Sequence, residues 1–315
     1  MNSLYKADAS IIVPVANGES TIERCIDSIY DNISKIECIV IVNNSTDRTN
    51  DVLDELKKKY KQLKVINSEA SGTSEARNIG LDYVTTDFVG FCDSDDYFEP
   101  NSIDNILQLM SDKKADILFT GINRLELHDC GVKKISPKKY KEGVISSKKA
   151  LPLILNDMYI TGSVCNKFYK RSVIENHRFD VKLTHCEDLH FNAVILKENR
   201  VVALSNYVFY NYVYNGCSVT NDADKCFDES GCLKYRYAVE KIKKKFVDEK
   251  IIQLECAYLL YVMSVQNYSR KLSKERKKYI RKSLLKNIYS VFLLSKNGFY
   301  RNTKLLIKGI MFLIF

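Results

Sequence analysis

The chain has 315 residues, of which 45% are hydrophobic and 28% charged, a composition typical of a globular protein with a sizeable core. Its ten cysteines include no CxxC pair and no metal-ligand spacing, which argues against a disulfide framework and favours a reduced, cytosolic protein. The net charge is +9, but residues 268–308 hold 13 Lys and Arg against the single acid Glu275, so the remaining body is slightly acidic and a general nucleic-acid binder is excluded.

Short apolar runs alternate with helical patterns along the first 120 residues. The runs, rich in Ile and Val, predict strands buried on both faces of a sheet: Ser10–Val15, Cys38–Val42, Lys64–Ile66, Phe88–Cys92 and Asp116–Phe119. The helical patterns between them are Thr21–Tyr30, Asn50–Tyr60, Ser74–Val84 and Ser102–Met110. This alternation predicts an α/β fold with an open, doubly wound, mostly parallel sheet.

The remainder of the chain changes character twice. Residues 122–145 are polar and predict an irregular or hairpin segment. Helical patterns follow at Ser147–Met158 and Leu189–Lys197, and the aromatic run Val208–Asn215 predicts a strand. From about Cys226 the pattern is wholly helical. We therefore predict a catalytic α/β domain over 1–221 and a basic, helical C-terminal region over 222–315.

An acidic run follows the fourth predicted strand directly, in the stretch "VGFCDSDDYFEP" of residues 89–100. The carboxylates of Asp93, Asp95 and Asp96 repel one another, and a charge at the end of a buried strand is costly without a partner. Ligands of open α/β sheets bind outside the carboxyl ends of the strands, where this run lies. Taken alone, such a run is more often a solvated turn that caps the next helix, and a bound cation is the alternative.

The order of the motifs carries a family resemblance. The chain contains, in order, "SIIVPVANGESTIERCIDSI", "ECIVIVNNSTDRT", "SGTSEARNIGLDYVTTDFVGFCDSDD", "VCNKFYKRSVI" and "THCEDLHFN". This series resembles the family 2 glycosyltransferases, which are inverting enzymes with the GT-A nucleotide-sugar-binding fold. The resemblance covers roughly residues 9–220 and implies that fold for them.

The resemblance assigns the acidic run to a metal. The D-x-D motif of the family corresponds to Asp93-Ser94-Asp95, in which Asp95 is the direct metal ligand, Asp93 lies at the metal or the ribose, and Ser94 lies at the donor. Carboxylates are hard oxygen ligands that suit Mn²⁺ or Mg²⁺. Such a cation would neutralise the leaving nucleoside diphosphate.

A second donor-binding motif is implied at Gly72–Gly80, which resembles the family's G-x-x-x-A-R-N-x-G. It places Arg77 and Asn78 on the donor side, where Arg77 and the helix N-terminus could face diphosphate oxygens. The alternative is that Arg77 pairs with a structural carboxylate.

The acceptor side is implied by Glu187-Asp188, which matches the family's E-D pair with Asp188 as general base. A single-displacement transfer needs one group to take the proton of the acceptor hydroxyl. Taken alone, the same pair is simply a good helix start with acids in the first turn. The flanking His185 and His190 are interpreted as structural.

The loops after the first two strands are implied to bind the nucleotide through Pro14, Ala16, Asn17 and Asn43. Ala16 stands where the family usually has an aromatic residue against the base, and Asn43 stands where an Asp accepts the uracil N3–H. Asn44 replaces a glycine and tolerates the left-handed region. Because an Asn side chain can both accept and donate, a UDP-sugar is the default donor and a cytidine-type donor the alternative.

The resemblance implies a non-processive enzyme that moves one sugar to a hydroxyl of a glycan or lipid-linked acceptor in capsule, O-antigen or teichoic-acid assembly. The chain has no tryptophan and hence no Q-x-x-R-W motif of processive synthases. A non-catalytic nucleotide-binding module is the main rival. A nucleotidyltransferase is less consistent because "VPVANGEST" has no glycine cluster, and a D-x-D-x-T phosphatase fails at Tyr97.

The C-terminus combines the basic residues 268–308 with the apolar "GIMFLIF". This combination predicts attraction to an anionic membrane surface, with the apolar end entering the interface. The alternative is a helical subdomain with solvated lysines. No window has the roughly 18–20 apolar residues of a spanning helix and the N-terminus lacks a signal-peptide pattern. We therefore expect a cytoplasmic protein, peripheral at the cytoplasmic face of the membrane.

Overall fold

A computed structural model describes residues 7–128, 131–137, 139–156, 161–214, 226–268, 272–296 and 303–314. The predicted domain boundary at 221/222 lies outside these ranges, as do the predicted ends of one strand at Asn215 and one helix at Met158. The boundary therefore stays a prediction.

The first half of the sheet is parallel, as predicted. Its strands are β1 (Ala9–Val15), β2 (Ile36–Asn43), β3 (Lys64–Ser68) and β4 (Phe88–Phe91), in the order β3-β2-β1-β4. The helices between them are α1 (Ile22–Tyr30), α2 (Thr49–Lys59) and α3 (Thr73–Asp82). Nearly every residue of β1 and β2 is buried, because helices cover both faces of this part of the sheet.

The second half of the sheet is mixed and contains strands that the sequence did not predict, among them those at 97–98 and 167–170. The remaining strands are β5 (Tyr97–Phe98), β6 (Ile117–His128), β7 (Gly131–Ile135), β8 (Gly143–Ser146), β9 (Lys167–Lys170) and β10 (Val201–Tyr214). The order continues β4-β9-β6-β10-β5, with β9 antiparallel to both neighbours and β10 parallel to β6. The predicted fifth strand, β6, is thus separated from β4 by β9.

A glycine in β4 leaves room for β9 to lie beside it. A Cβ atom at Gly90 of β4 would lie 2.7 Å from the Phe168 ring of β9, so only glycine allows the two strands this approach. The predicted hairpin is confirmed, since β7 pairs antiparallel with the end of β6. The helices of this region are α4 (Ser102–Asp112), α5 (Ser147–Asn156), α6 (Arg171–Ile174) and α7 (Glu187–Ile195).

Four helices form the described part of the C-terminal region, as predicted: α8 (Tyr235–Lys245), α9 (Lys250–Gln266), α10 (Lys274–Lys296) and α11 (Thr303–Ile314). Val239 and Ile242 of α8 and Ile252 and Cys256 of α9 belong to the same buried core as the sheet. The outer side of α9 builds a second, smaller core with α10 and α11. None of the helices seen in the described ranges has the length and apolar character needed to cross a bilayer.

The apolar C-terminal segment, which was predicted to enter a membrane interface, packs in part against the fold. Met311 is 51% exposed, but Phe312 stacks on Tyr268 with ring centroids 3.9 Å apart, and Leu313 packs against the second core. Most of this apolar segment therefore stabilises the helical region.

Candidate active site

Two loops at the carboxyl edge of the parallel strands are tied together. The Asn17 side-chain oxygen accepts the Thr46 N–H at 2.8 Å, and the Gly18 N–H donates to the Thr49 hydroxyl at 2.9 Å. Asn17 and Asn44 both adopt the left-handed region, with φ of 54° and 48°, which Asn tolerates better than most residues. The loops after β1 and β2 thus form one rigid rim.

The predicted nucleotide residues lie along this rim. Ala16 is exposed and Pro14 and Asn43 are partly buried. The Asn43 side-chain oxygen accepts from the Asn44 amide at 3.3 Å. The structure thus brings these residues to one edge, while their contacts with a base stay a prediction.

The three carboxylates of the acidic run have separate environments, and Asp96 is the structural one. Asp96 is buried and accepts hydrogen bonds from the Tyr210 hydroxyl at 2.6 Å and the Val213 N–H at 2.7 Å. Burial, together with the nearby charge of Asp93, raises the pKa of Asp96 to about 8. Asp96 therefore anchors the run to β10 instead of facing a ligand.

Asp95 is partly buried, and its contact with Arg24 is made through the backbone, which leaves the side-chain carboxylate available to a ligand. Arg24 donates to the Asp95 backbone carbonyl at 2.6 Å, not to the side chain. Burial and the charge of Asp93 raise the pKa of the Asp95 carboxyl above its usual range. The Asp95 carboxylate thus lies beside the negative charge of Asp93, a setting that favours a bound cation.

Arg77 lies at the centre of the site and is only 2% exposed. Its Nη2 donates to Asp93 at 2.8 Å, and its Nη1 donates to Asp188 at 2.5 Å and to Glu187 at 3.3 Å. Burial opposes the guanidinium charge, but Asp188 and Asp93 outweigh it and raise the pKa of Arg77 well above its usual value. One buried cation therefore joins the D-x-D run to the Glu187-Asp188 pair.

This arrangement corresponds to the alternative that the sequence left open for Arg77, pairing with carboxylates. The carboxylates that pair with Arg77 are those of the predicted site residues Asp93, Glu187 and Asp188. The sequence did not indicate that Arg77 would pair with them. The guanidinium also lies over the Phe179 ring, 5.4 Å from its centroid.

Asp188 lies in the first turn of α7 and combines partial exposure with a raised pKa. Its side chain is 17% exposed, and its second oxygen accepts the Val164 N–H at 3.1 Å. Burial raises the pKa of Asp188 to about 7, although Arg77 acts in the opposite direction. Because a carboxylate has about four lone-pair sites, this group can still accept a proton from a further hydroxyl near neutral pH.

A buried lysine shapes the loop that reaches Asp188. Lys167 at the start of β9 is fully buried, and its ammonium donates to the Thr161 carbonyl at 2.7 Å, to the Ser163 carbonyl and to the Asn166 side chain at 2.9 Å. These bonds fold residues 161–166 so that the Val164 N–H reaches the carboxylate. The motif "VCNKFYKRSVI" contained this lysine, but the sequence alone predicted no role for it.

Asn78 is held by backbone groups. Its side-chain amide donates to the Phe179 carbonyl at 2.9 Å, and its oxygen accepts the Phe179 N–H at 2.7 Å. The residue therefore fixes the segment beneath Arg77, and its predicted contact with the donor stays a prediction.

The two histidines near Asp188 are packed side chains. His185 contacts Tyr235 edge to face at 5.1 Å, and burial lowers the pKa values of both His185 and His190. Both environments agree with the structural interpretation made from the sequence.

Comparison with known proteins identifies the family. Residues 10–177, more than half of the chain, match the family model described as Glycosyl transferase family 2. The chain belongs to this family. The matched segment ends before Glu187 and Asp188. Both residues nevertheless contact the matched segment, because each accepts a hydrogen bond from Arg77.

Relatives with assigned names share the family. EpsH of Bacillus subtilis (strain 168), a protein named for glycosyltransferase activity, is 29% identical over 72% of this chain and 66% of its own length. The minor teichoic acid biosynthesis protein GgaA of the same strain is 30% identical over 72% of this chain and 51% of its own length. This family 2 chain thus spans from about half to just under two-thirds of the length of these relatives.

Solved structures share the fold. S. aureus TarS 1–349, crystallised with UDP-GlcNAc, superposes with a TM-score of 0.70 at 20% identity, over 90% of this chain and 81% of that one. The mannosyltransferase PcManGT of Pyrobaculum calidifontis, crystallised with GDP-Man and Mn²⁺, gives 0.56 at 15% identity, over 99% and 88%. The predicted GT-A fold, with C-terminal helices added, is confirmed.

The loop above Asp188 offers a first prediction for this family 2 chain. A Cβ atom at Gly162 would lie 2.8 Å from a methyl group of Leu189 and 3.3 Å from its backbone. Gly162→Ala should therefore displace the loop that carries the Val164 N–H and lower the rate of sugar transfer by about 10–100-fold, with donor affinity unchanged. Steady-state kinetics and calorimetry provide the two measurements.

The double variant Gly162→Ala/Leu189→Ala is the control, because it removes the methyl group nearest to the new Cβ atom. It should recover part of the lost rate. A single variant with wild-type kcat would show that the loop position does not matter for Asp188.

Proposed function

We propose that the chain is an inverting, metal-dependent, non-processive glycosyltransferase that moves one sugar from a nucleotide-sugar donor to a hydroxyl of a glycan or lipid-linked acceptor in cell-surface polysaccharide synthesis. The single observation that carries the proposal is the position of Arg77, which contacts Asp93 on the donor side and Asp188 on the acceptor side. A non-catalytic nucleotide-binding module has no need of a carboxylate with a pKa near neutrality at the second position.

Known proteins support the donor and the pathway class. TarS was crystallised with UDP-GlcNAc, GgaA is named for minor teichoic acid biosynthesis, and a poly(ribitol-phosphate) beta-glucosyltransferase of Bacillus spizizenii is 24% identical over 65% of this chain. A UDP-sugar is therefore the default donor, and surface polysaccharide or teichoic acid the proposed setting.

Asp95 and Asp93 would hold Mn²⁺ or Mg²⁺. Their oxygen ligands suit these hard cations, and burial together with the nearby charge of Asp93 raises the pKa of Asp95. Among the residues the structure describes, no group of three His, Cys, Asp or Glu side chains forms a complete metal site. The remaining ligands would come from water and the donor diphosphate, whose charge the cation would neutralise.

Asp188 is proposed as the general base. Arg77 and the Val164 N–H fix the orientation of its carboxylate, and its partial exposure leaves a lone pair for the acceptor hydroxyl. Glu187 would support it from the same helix turn, where its charge also raises the pKa of Asp188. The products are the lengthened acceptor, the free nucleoside diphosphate and one proton taken up by Asp188.

The nucleobase preference is open to a direct test at Asn43. We expect Asn43→Asp to shift donor preference toward uridine, because a carboxylate can only accept the uracil N3–H whereas an amide can also donate. Ranking UDP, CDP and GDP by calorimetry with Mn²⁺ measures this. An identical ranking in the variant and the wild type would remove Asn43 from base recognition.

The decisive experiment is a thermal-shift series with UDP, CDP and GDP, each with and without Mn²⁺, because a specific ligand stabilises the fold by RT ln(1 + [L]/Kd). We expect the largest shift with UDP and Mn²⁺ together. Hydrolysis of the corresponding UDP-sugar then separates an enzyme from a binding module, since only the enzyme would release UDP.

We further propose a cytoplasmic location, peripheral at the cytoplasmic face of the membrane. The cysteines that the structure describes are free thiols, in keeping with a reducing compartment. The basic C-terminal region supplies the attraction to anionic lipid.

A further inference from the structure

The outward side of α10 carries a continuous stripe of basic and apolar side chains. Lys274, Lys278, Lys282, Leu285 and Tyr289 are spaced by three or four residues, so they lie on one face of the helix. All five are exposed, with Leu285 at 63% and Tyr289 at 68%. The stripe is about 22 Å long at 1.5 Å per residue.

The opposite side of the same helix is committed to packing. Ile280, Leu284 and Val291 are buried in the second core, and Asn287 is buried beside them. The helix therefore cannot rotate to hide Leu285 and Tyr289 without breaking that core. Two large apolar side chains stay in water for a reason other than core packing.

The charged side chains of α10 are almost all positive. α10 contains a single acid, Glu275. Lys274, Lys278, Lys282 and Leu285, with Lys277 and Arg281, line a groove of about 490 Å³. This groove is open to solvent along one side of the helix, and five cationic side chains and Leu285 line it.

We propose that this face of α10, and not the apolar end of α11, is the surface that rests on an anionic lipid bilayer. The lysines would lie among phosphate headgroups, while Leu285 and Tyr289 would enter the boundary between headgroups and acyl chains. The packing of Phe312 and Leu313 against the second core makes these two side chains of the apolar end less available for this role.

A bilayer fits the stripe better than a soluble polyanion such as a nucleic acid or a phosphodiester polymer. A polyanion would need the lysines alone, and its binding would leave Leu285 and Tyr289 in water. At a bilayer both kinds of side chain are matched, and a tyrosine is a preferred residue at that boundary. This inference depends on the proposed function in one respect only: the acceptor that the protein would meet at the membrane is the lipid-linked acceptor proposed above.

The test is co-sedimentation of the full-length protein with vesicles of phosphatidylglycerol and phosphatidylcholine, and with vesicles of phosphatidylcholine alone. The wild type should bind only the anionic vesicles, and less at high salt. The variant Lys274→Glu/Lys278→Glu/Lys282→Glu should bind on the order of 100-fold more weakly, because each lysine near the surface contributes about a fivefold factor.

Two further variants make the test specific. Lys61→Glu/Lys113→Glu/Lys244→Glu changes the net charge equally at exposed positions on other elements and should retain binding. Leu285→Ser/Tyr289→Ser keeps every charge and should weaken the binding that remains at high salt. Retained binding in the α10 lysine variant would overturn the proposal. The proposal would also be overturned if the wild type bound polyphosphate but not vesicles, and if the α10 lysine variant lost the binding to polyphosphate.

The two proposals fail separately. None of these substitutions lies near Arg77 or the acidic run in the fold, so release of UDP from a UDP-sugar should be unchanged in all variants. A protein that turns over the donor but ignores anionic vesicles would lose only the inference about α10. A protein that binds vesicles but no nucleotide would lose only the proposed enzymatic function.

Discussion

Asp188→Asn should reduce sugar transfer by about 10²–10⁴-fold, the usual contribution of a general base, with donor affinity little changed. The variant keeps the size of the side chain but cannot take the proton of the acceptor hydroxyl. The expected signature is a lower kcat with an unchanged dissociation constant for the nucleotide with Mn²⁺. Transfer assays and calorimetry on the same preparation measure both quantities.

The structure indicates how far Asn can replace Asp188. The carboxylate accepts from Arg77 on one oxygen and from the Val164 N–H on the other, whereas an amide accepts on only one atom. A stability loss of about 1–3 kcal/mol is therefore expected alongside the lost rate. Thermal denaturation separates the two effects, because a folded variant with lost kcat is chemically impaired.

Glu187→Gln is the matched control on the same helix turn. Glu187 lies 3.3 Å from Arg77, against 2.5 Å for Asp188, so it contributes less to the buried ion network. Its replacement should lower the rate far less. Equal losses in the two variants, or transfer by Asp188→Asn at the wild-type rate, would show that Asp188 is not the base.

The pH profile gives an independent readout of Asp188. Burial raises its pKa to about 7, and a base acts only when it is ionised. The transfer rate of the wild type should therefore rise as the pH increases through about 7 and level off above it. The residual activity of Asp188→Asn should lack this limb.

Asp95→Asn should remove the dependence of donor binding on Mn²⁺. Arg24 donates its hydrogen bond to the Asp95 backbone carbonyl, and no salt bridge to the Asp95 carboxylate is seen in the described part of the chain. We expect affinity for the nucleoside diphosphate in the presence of Mn²⁺ to fall by about 10²-fold or more, because a bound metal contributes several kcal/mol of charge stabilisation. Calorimetry with and without Mn²⁺ measures the coupling directly.

Asp96→Asn is the control in the same acidic run. Asp96 is buried and bonded to Tyr210 and Val213, so its replacement should cost about 1–3 kcal/mol of stability and leave the Mn²⁺ dependence in place. If Asp95→Asn binds the nucleotide with unchanged Mn²⁺ dependence, the metal site does not lie at Asp95.

The amino-acid sequence by itself determined the parallel half of the sheet. The first two strands are continuous runs rich in β-branched residues, the next two are shorter apolar runs, and the helices between them repeat with the helical period, so each element is indicated by its own residues. The same local logic placed the acidic run at the carboxyl edge, because Asp93 follows β4 directly.

Only the tertiary structure decided the partners of each side chain. β9 is four residues long, too short for a periodic signal, and it enters the sheet because Gly90 leaves room for Phe168. The role of Lys167 likewise depends on carbonyl groups that a folded loop brings together.

The contacts of Arg77 show most clearly which features the sequence indicated and which features only the fold decided. The sequence indicated Arg77, Asp93, Glu187 and Asp188 as site residues, but it could not show that one guanidinium contacts all three carboxylates. Two of these partners lie 110 and 111 residues away along the chain. Contacts at such separations follow from strand order and helix packing, which no local pattern encodes, so the burial that raises the pKa of Asp188 and the Arg77 contact that opposes it exist only in the fold.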